Sequence, residues 1–183
     1  KRLEAKNKWL EGIVKERTAE VVKQKNLIET KNIQITDSID YAQRIQQSIL
    51  PSPAKFKAMF PESFILYKPK SVVSGDFFWI HRHGDNLLFS AIDCTGHGVP
   101  GAFMSIIGYN LLQRVIERSP GDIRPAEILT NLNRELARSL RQNEQQAVKD
   151  GMDMAFCSLN MRTRKMEFTG AKNPAYLVRN GML

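Results

Sequence analysis

Asp76-Phe77-Phe78-Trp79-Ile80-His81-Arg82-His83-Gly84-Asp85-Asn86-Leu87-Leu88-Phe89-Ser90-Ala91-Ile92-Asp93 is the stretch whose reading decides the fold. Both halves are rich in aromatic and β-branched residues, the composition of strands. The two residues between them, Gly84-Asp85, place glycine where a type II′ hairpin turn needs it. Counting outward from that turn, His83 faces Asn86 and, at the far end of the ribbon, Asp76 faces Asp93. Directly opposed side chains have Cβ atoms about 4.5–5.5 Å apart, a separation at which like charges repel. Two carboxylates held there need a counter-charge, and a divalent cation is the natural one, so the pair reads as half of a metal site. The alternatives are a pair of strand-end acids that only keep the ribbon soluble, or a register slipped by one. Against both stands the glycine near each acid, in Ser74-Gly75-Asp76 and Asp93-Cys94-Thr95-Gly96-His97-Gly98. Glycine lets backbone approach a ligand closely.

Length and composition narrow the class. The chain of 183 residues, 42% of them hydrophobic, suits one domain plus an appendage and is neither disordered nor membranous. No apolar run reaches the length of a membrane span, and the N-terminus lacks the apolar core of a signal peptide. A cytoplasmic location is expected, with a membrane anchor upstream of Lys1 still compatible with the sequence. Two cysteines, Cys94 and Cys157, make no disulfide framework and fit a reducing compartment. The net charge of +8 invites a nucleic-acid reading. Its distribution argues against one, because residues 1–31 hold nine Lys/Arg and five Asp/Glu with the signs interspersed. That pattern describes a solvated helix face or a segment near anionic lipid.

Residues 1–50 contain no proline and a single glycine, Gly12. Apolar residues recur every seven positions at Val14, Val21, Ile28, Ile35, Ala42 and Ile49. The companion seam position reads Leu3, Leu10, Arg17, Gln24, Lys31, Ser38 and Ile45, polar through its middle. A parallel dimeric coiled coil of modest stability fits, since polar seam residues set register at a cost in stability. A long single helix packed on its own domain is the alternative. The last two turns, with Ile39, Ala42, Ile45, Ile49 and Leu50, carry a wider apolar stripe suited to docking on a globular domain.

Residues 51–70, with Pro51, Pro53, Pro61 and Pro69, read as a packed connector that cannot be regular helix and predict one strand around Phe64-Ile65-Leu66-Tyr67. After the hairpin, Pro100 sits just inside the start of an apolar helix, a favoured place for proline. Ser119-Pro120-Gly121 ends that helix, a second amphipathic helix opens at Pro125, and polar residues 141–150 read as a loop. Met154 to Asn160 and Lys165 to Thr169 predict two more strands. Ala175 to Arg179 predicts the first arm of another hairpin turning at Asn180-Gly181. Hairpin, two helices, then antiparallel strands indicates an α+β layered domain over residues 71–183.

These residues resemble the SpoIIE-type phosphatase domain, a bacterial branch of the metal-dependent PPM (protein phosphatase 2C-like) serine/threonine phosphatases. The resemblance begins at Ile35-Thr36-Asp37-Ser38-Ile39 and Ala42-Gln43-Arg44-Ile45-Gln46-Gln47-Ser48-Ile49-Leu50-Pro51. It continues through Val73-Ser74-Gly75-Asp76-Phe77-Phe78 and Asp93-Cys94-Thr95-Gly96-His97-Gly98-Val99-Pro100-Gly101-Ala102. Asp150-Gly151-Met152-Asp153-Met154-Ala155 and Thr169-Gly170-Ala171-Lys172-Asn173-Pro174-Ala175 complete it. It implies a sandwich of antiparallel sheets flanked by helices, with a two-metal Mn²⁺ or Mg²⁺ centre at one end. It implies Asp76 and Asp93 as metal ligands and catalytic residues, the Cys94 carbonyl as a further ligand, and Asp153 as a peripheral one. Asp153 also reads as a strand-start residue capping a turn. The implied reaction is hydrolysis of phosphoserine or phosphothreonine on a protein, often a small STAS-type anti-sigma antagonist, without a phosphoenzyme intermediate. The family domain continues into a Thr-Asp-Gly segment and another acidic motif that supply further ligands. Neither lies in these residues, so the expectation is the N-terminal portion of such a domain, following a helix that relays a signal from an upstream sensor.

Other chemistry is less well supported. Gly96, His97 and Gly98 form a candidate substrate-binding loop, with His97 orienting a phosphate or a water, or simply packing on the site's backbone. The loop lacks the Gly-Lys-Ser/Thr of a P-loop. His81 and His83 share a strand face but lack the further ligands a zinc site needs. Cys94 lacks the Cys-x5-Arg spacing of cysteine phosphatases. A catalytically silent module of the same fold, which dimerises or binds a phosphoprotein, and a basic nucleic-acid-binding domain remain the competing functions.

Overall fold

The computed structural model describes residues 1–119, 121, 123–140 and 150–182; the loop expected over residues 141–150 therefore lies outside the described residues except for Asp150. The chain divides into two compact units, Lys1–Tyr41 and Ala42–Leu183. Helix α1 (Arg2–Ile49) supplies all of the first unit, as the absence of proline and helical spacing predict. Its seam residues there are bare: Val14, Val21, Ile28 and Ile35 are each more than half exposed. Ion pairs such as Arg17–Glu20 at 2.9 Å and Lys25–Glu29 at 3.6 Å run along its surface. Pairs of this kind contribute a few tenths of a kcal/mol each.

The second unit contains α2 (Pro53–Met59), β1 (Phe77–His83), β2 (Asn86–Cys94), α3 (Gly98–Glu117), α4 (Pro125–Leu140), β3 (Met152–Asn160) and β4 (Met166–Ala171). The described strands form one antiparallel sheet in the order β1-β2-β3-β4, so the expected mixture of helices and antiparallel strands holds. The connector differs from expectation. Ser52 caps a short helix by accepting from the Lys55 amide at 3.3 Å, and Pro53 occupies the first turn, where its missing N–H is no loss. The proline-free run to Pro61 is long enough for two turns, which a count of prolines obscures. Phe64 to Tyr67 form no strand, and Phe64 and Leu66 stay exposed at 85% and 74%. The Asn180-Gly181 turn forms, with φ of 52° and 76°, the pattern of a type I′ turn. It is closed by Arg179 and Met182 exchanging amide bonds of 2.8 and 3.1 Å. Ala175 to Val178 do not extend it into a strand.

Alternation along the strands gives the sheet two unlike faces. Phe77 and Trp79 of β1, Leu88 and Ile92 of β2, and Met154 and Phe156 of β3 point to one face. There they meet Leu112, Val115 and Ile116 of α3, and Ile128, Leu132 and Leu136 of α4. Trp79, Leu88, Leu112, Ile116 and Phe156 are fully enclosed. The other face carries Phe78, Phe89 and Ala91, partly covered by Phe56, Phe60 and Tyr67 of the connector through edge-on ring contacts. Phe156 stacks on Trp79 with ring centroids 6.1 Å apart at the centre of the helix-covered layer. Replacing it with alanine should remove about 3–5 kcal/mol of stability in urea unfolding; a loss under about 1 kcal/mol would mean that this layer is not the core.

Candidate metal centre

The hairpin register is the one the turn dictates. Gly84 adopts φ +57° and Asp85 stays out of the left-handed region, as a type II′ turn requires. Pairs run from His83↔Asn86 to Phe77↔Ile92, and one further step sets Asp76 against Asp93. In a two-residue hairpin the pair beside the turn is hydrogen-bonded, so alternation makes Asp76 and Asp93 a non-hydrogen-bonded pair, the kind whose side chains approach most closely. The two carboxyl groups lie within hydrogen-bonding reach of each other. Asp76 is held above the ordinary carboxylate value by partial burial first, then by the hydrogen bond to Asp93, then by that group's charge. Among the described residues no lysine or arginine forms an ion pair with either acid. Both border a cleft of 580 Å³ on the sheet face away from α3 and α4, walled by Phe64, Leu66, Tyr67 and Phe78.

The backbone around the pair is packed too tightly for side chains. A Cβ on Gly75 would lie 2.8 Å from the Gly96 carbonyl oxygen and 3.1 Å from that of Cys94; one on Gly101 would lie 2.6 Å from the same Gly96 oxygen. Glycine at 75 and 101 thus allows the segment bearing Asp76, the loop after Asp93 and the first turn of α3 to touch. Thr95 fastens the loop to the start of β3: its amide donates to the Gly151 carbonyl at 2.9 Å, and the Gly151 amide donates to Thr95 Oγ1 at 3.1 Å.

Two further features were not evident from the sequence. Asp153 stands opposite Asp93 across β2 and β3, so three aspartates form a row over three strands. Its carboxylate is engaged by Lys172 Nζ at 3.1 Å. The second is Gln46, near the C-terminal end of α1 and only 4% exposed. Its Nε2 donates to the Ser74 carbonyl at 2.6 Å and to Ser105 Oγ at 2.8 Å, while its Oε1 accepts from the Ser74 amide at 3.2 Å. A polar residue at helical spacing from Ala42, Ile49 and Leu50, inside the stripe expected to dock, was the available signal.

The remaining candidates fall into place around this centre. His97 is the N-cap residue of α3, exposed and making no side-chain cap bond; Gly96 and Gly98 flank it with φ of 91° and 64°. Cys94 is buried, and its thiol is pushed up to about 12 by burial first, then by the charges of Asp93 and Asp76. His81 lies at the turn end of the ribbon, stacked on Trp79 at 5.5 Å. Its imidazole is shifted down by burial first, then by His83 and Lys55, with Glu117 opposing. In kind, the donors at the carboxylate pair suit a hard divalent cation: carboxylate and carbonyl oxygen without imidazole or thiolate. Among the described residues no cluster of three His, Cys, Asp or Glu side chains gathers to hold such an ion, so these residues make part of a ligand set.

Comparison with known proteins gives this arrangement its family. The model described as Stage II sporulation protein E (SpoIIE) matches residues 83–182. The solved SiaA-PP2C domain of Pseudomonas aeruginosa is 37% identical with a TM-score of 0.66, and the match covers 77% of this chain and 55% of that one. A stage II sporulation E family protein from Thermanaerovibrio acidaminovorans is 17% identical with a TM-score of 0.41, over 51% of this chain and 43% of that one. No curated protein matches significantly. This chain spans about half the length of those two structures. With more than half of its residues matched by the family model and its fold shared with the SiaA-PP2C domain, the chain belongs to the SpoIIE family of PP2C-like proteins.

Proposed function

We propose that this chain is part of a metal-dependent phosphatase that hydrolyses phosphoserine or phosphothreonine on a regulatory protein, a STAS-type anti-sigma antagonist being the favoured substrate class. The observation that carries the reading is the facing Asp76–Asp93 pair, two like charges in mutual reach with no cationic side chain paired to either among the described residues. Family membership adds the PP2C-like fold. In this reading Asp76 and Asp93 hold Mn²⁺ or Mg²⁺, the Cys94 carbonyl contributes a further oxygen, and Asp153 is a peripheral ligand. A pair of such ions supplies an activated water and charge stabilisation for an in-line displacement. The protein's own part is to fix the two carboxylates by the hairpin register and to present the phosphoryl group through Gly96, His97 and Gly98. The cleft beside the pair, walled by Phe64, Leu66 and Tyr67, suits an extended segment of the phosphoprotein. Attack by water rather than by sulfur agrees with a Cys94 thiol that stays protonated at neutral pH.

Residues 1–50 act, in the same proposal, as a dimerising helix that carries a signal from an upstream sensor, supported by the exposed Val14, Val21, Ile28 and Ile35 at seven-residue spacing. A location in the cytoplasm follows the free thiols, and no described helix is long and apolar enough to cross a membrane. One observation favours a second reading, a catalytically silent module of the same fold: no third acidic side chain joins the pair among the described residues.

Three measurements decide between these readings. Mn²⁺-dependent phosphate release from a phosphoserine peptide should fall about a hundredfold or more in Asp76→Asn and Asp93→Asn, whereas no release by the wild type of the full-length protein would favour the silent module. Iodoacetamide at pH 8 should leave Cys94 unmodified in the folded protein while labelling it after denaturation; rapid native labelling would return the cysteine to consideration as nucleophile. Ile28→Asp should convert a dimer to a monomer in sedimentation and change the phosphatase rate. An unaltered mass would remove the seam, and an unaltered rate would remove the coupling.

A further inference from the structure

We infer that Lys172 is a phosphate anchor: its ammonium group binds the phosphoryl oxygens of the phosphoserine while it stays on Asp153, a role resting on the phosphatase reading above. The backbone singles out this lysine. Strand β4 ends at Ala171, and Lys172 then takes φ of 61°, a left-handed conformation that glycine and asparagine adopt more readily. A residue held in so sparsely populated a region points to a side chain wanted at that place. The turn is tight, since a Cβ on Gly170 would overlap the Asn173 carbonyl oxygen. The Lys172 backbone also bridges to Met154, the residue next to Asp153. These contacts secure the turn without the lysine's charge, so fastening the turn does not account for it. Lys172 borders a groove of 640 Å³ beside α4, whereas Asn173 borders the cleft that holds Asp76 and Asp93. The turn thus forms the rim between that groove and the aspartate row.

Charge at this end of the sheet calls for such a group. Asp76, Asp93 and Asp153 stand side by side on three strands. A phosphate monoester brings roughly −1.5 to −2 more charge at neutral pH. Among the described residues, Lys172 is the one cation in an ion pair with any of these acids, its Nζ lying 3.1 Å from Asp153 Oδ1. An ammonium carries three N–H donors. The ion pair occupies one, and the side chain is 81% exposed, so the others face solvent and can meet phosphate oxygens. The contact with Asp153 keeps a flexible stem aimed at the row, so less order has to be imposed when phosphate arrives.

A lysine that only made a surface ion pair would leave phosphate binding unchanged when replaced. The test compares Lys172→Met, Lys172→Arg and Lys165→Met in the full-length protein. Lys165→Met removes the same charge from another exposed ion pair, Lys165–Glu167, at the start of β4. Two quantities are read: affinity for inorganic phosphate in the presence of Mn²⁺ by titration calorimetry, and KM and kcat for a phosphoserine peptide. Lys172→Met should weaken phosphate binding about tenfold or more, the size expected for a lost charge-assisted hydrogen bond. It should raise KM by a similar factor and change kcat less. Lys172→Arg keeps the charge and should restore most of both, while Lys165→Met matches the wild type. Unchanged phosphate affinity in Lys172→Met, or an equal loss in Lys165→Met, overturns the inference. Failure of the phosphatase reading shows separately, as a wild type that releases no phosphate from the peptide. Phosphate affinity then decides alone: a loss confined to Lys172→Met upholds the anchor in a phosphoprotein-binding module, and a wild type that binds no phosphate removes it.

Discussion

Two like charges on adjacent strands, at the pair type where side chains come closest, are the constraint around which this unit is organised. A hairpin gains nothing from such a pair, since facing carboxylates repel. The surrounding structure over-determines their meeting nonetheless. A two-residue turn fixes the register, glycines at 75 and 101 let three backbone segments touch, and Thr95 ties the loop after Asp93 to β3. Each device brings oxygen atoms together and none supplies positive charge. Such an arrangement is what the proposed cation site requires.

The helix layer serves this end indirectly. The enclosed face, with Trp79, Leu88 and Phe156 under α3 and α4, holds β1, β2 and β3 in a fixed relation. The first turn of α3 sits over the glycine loop, where Gly101 meets Gly96. The end of α1 enters the same unit through Gln46. Three elements distant in sequence thereby converge on Ser74 and Gly75, immediately before the first acid.

What the sequence revealed follows from how far each constraint reaches. Gly84-Asp85 is local, so the register of β1 with β2, and with it the meeting of Asp76 and Asp93, could be counted from the turn. The pairing of Asp93 with Asp153 could not, because two helices lie between β2 and β3 and no turn fixes that register. The connector misled in both directions. Prolines concealed α2, although Pro53 in the first turn favours a helix, and the apolar run Phe64 to Tyr67 resembled a strand but has no pairing partner among the described residues. Gln46 is set apart in the sequence from its neighbours Gln43 and Gln47 only by its place inside the apolar stripe of α1. Only burial reveals that its hydrogen bonds are specific.

The row of aspartates raises a question of strength that magnitudes can settle. Asp153 already has a counter-ion in Lys172, whose backbone adopts φ of 61°, a conformation uncommon for a lysine. If that ion pair were strong, Asp153 would be committed and unavailable as a ligand in the proposed centre. Its side chains are 81% and 37% exposed, however. Exposed pairs of this kind contribute about 0–1 kcal/mol, since water screens the attraction and ordering a long lysine chain offsets much of what remains. A divalent cation held by Asp76 and Asp93 would attract a neighbouring carboxylate with twice the charge of an ammonium group. The lysine is therefore a weak competitor, and its hold on Asp153 does not count against a place for that residue at the edge of the centre.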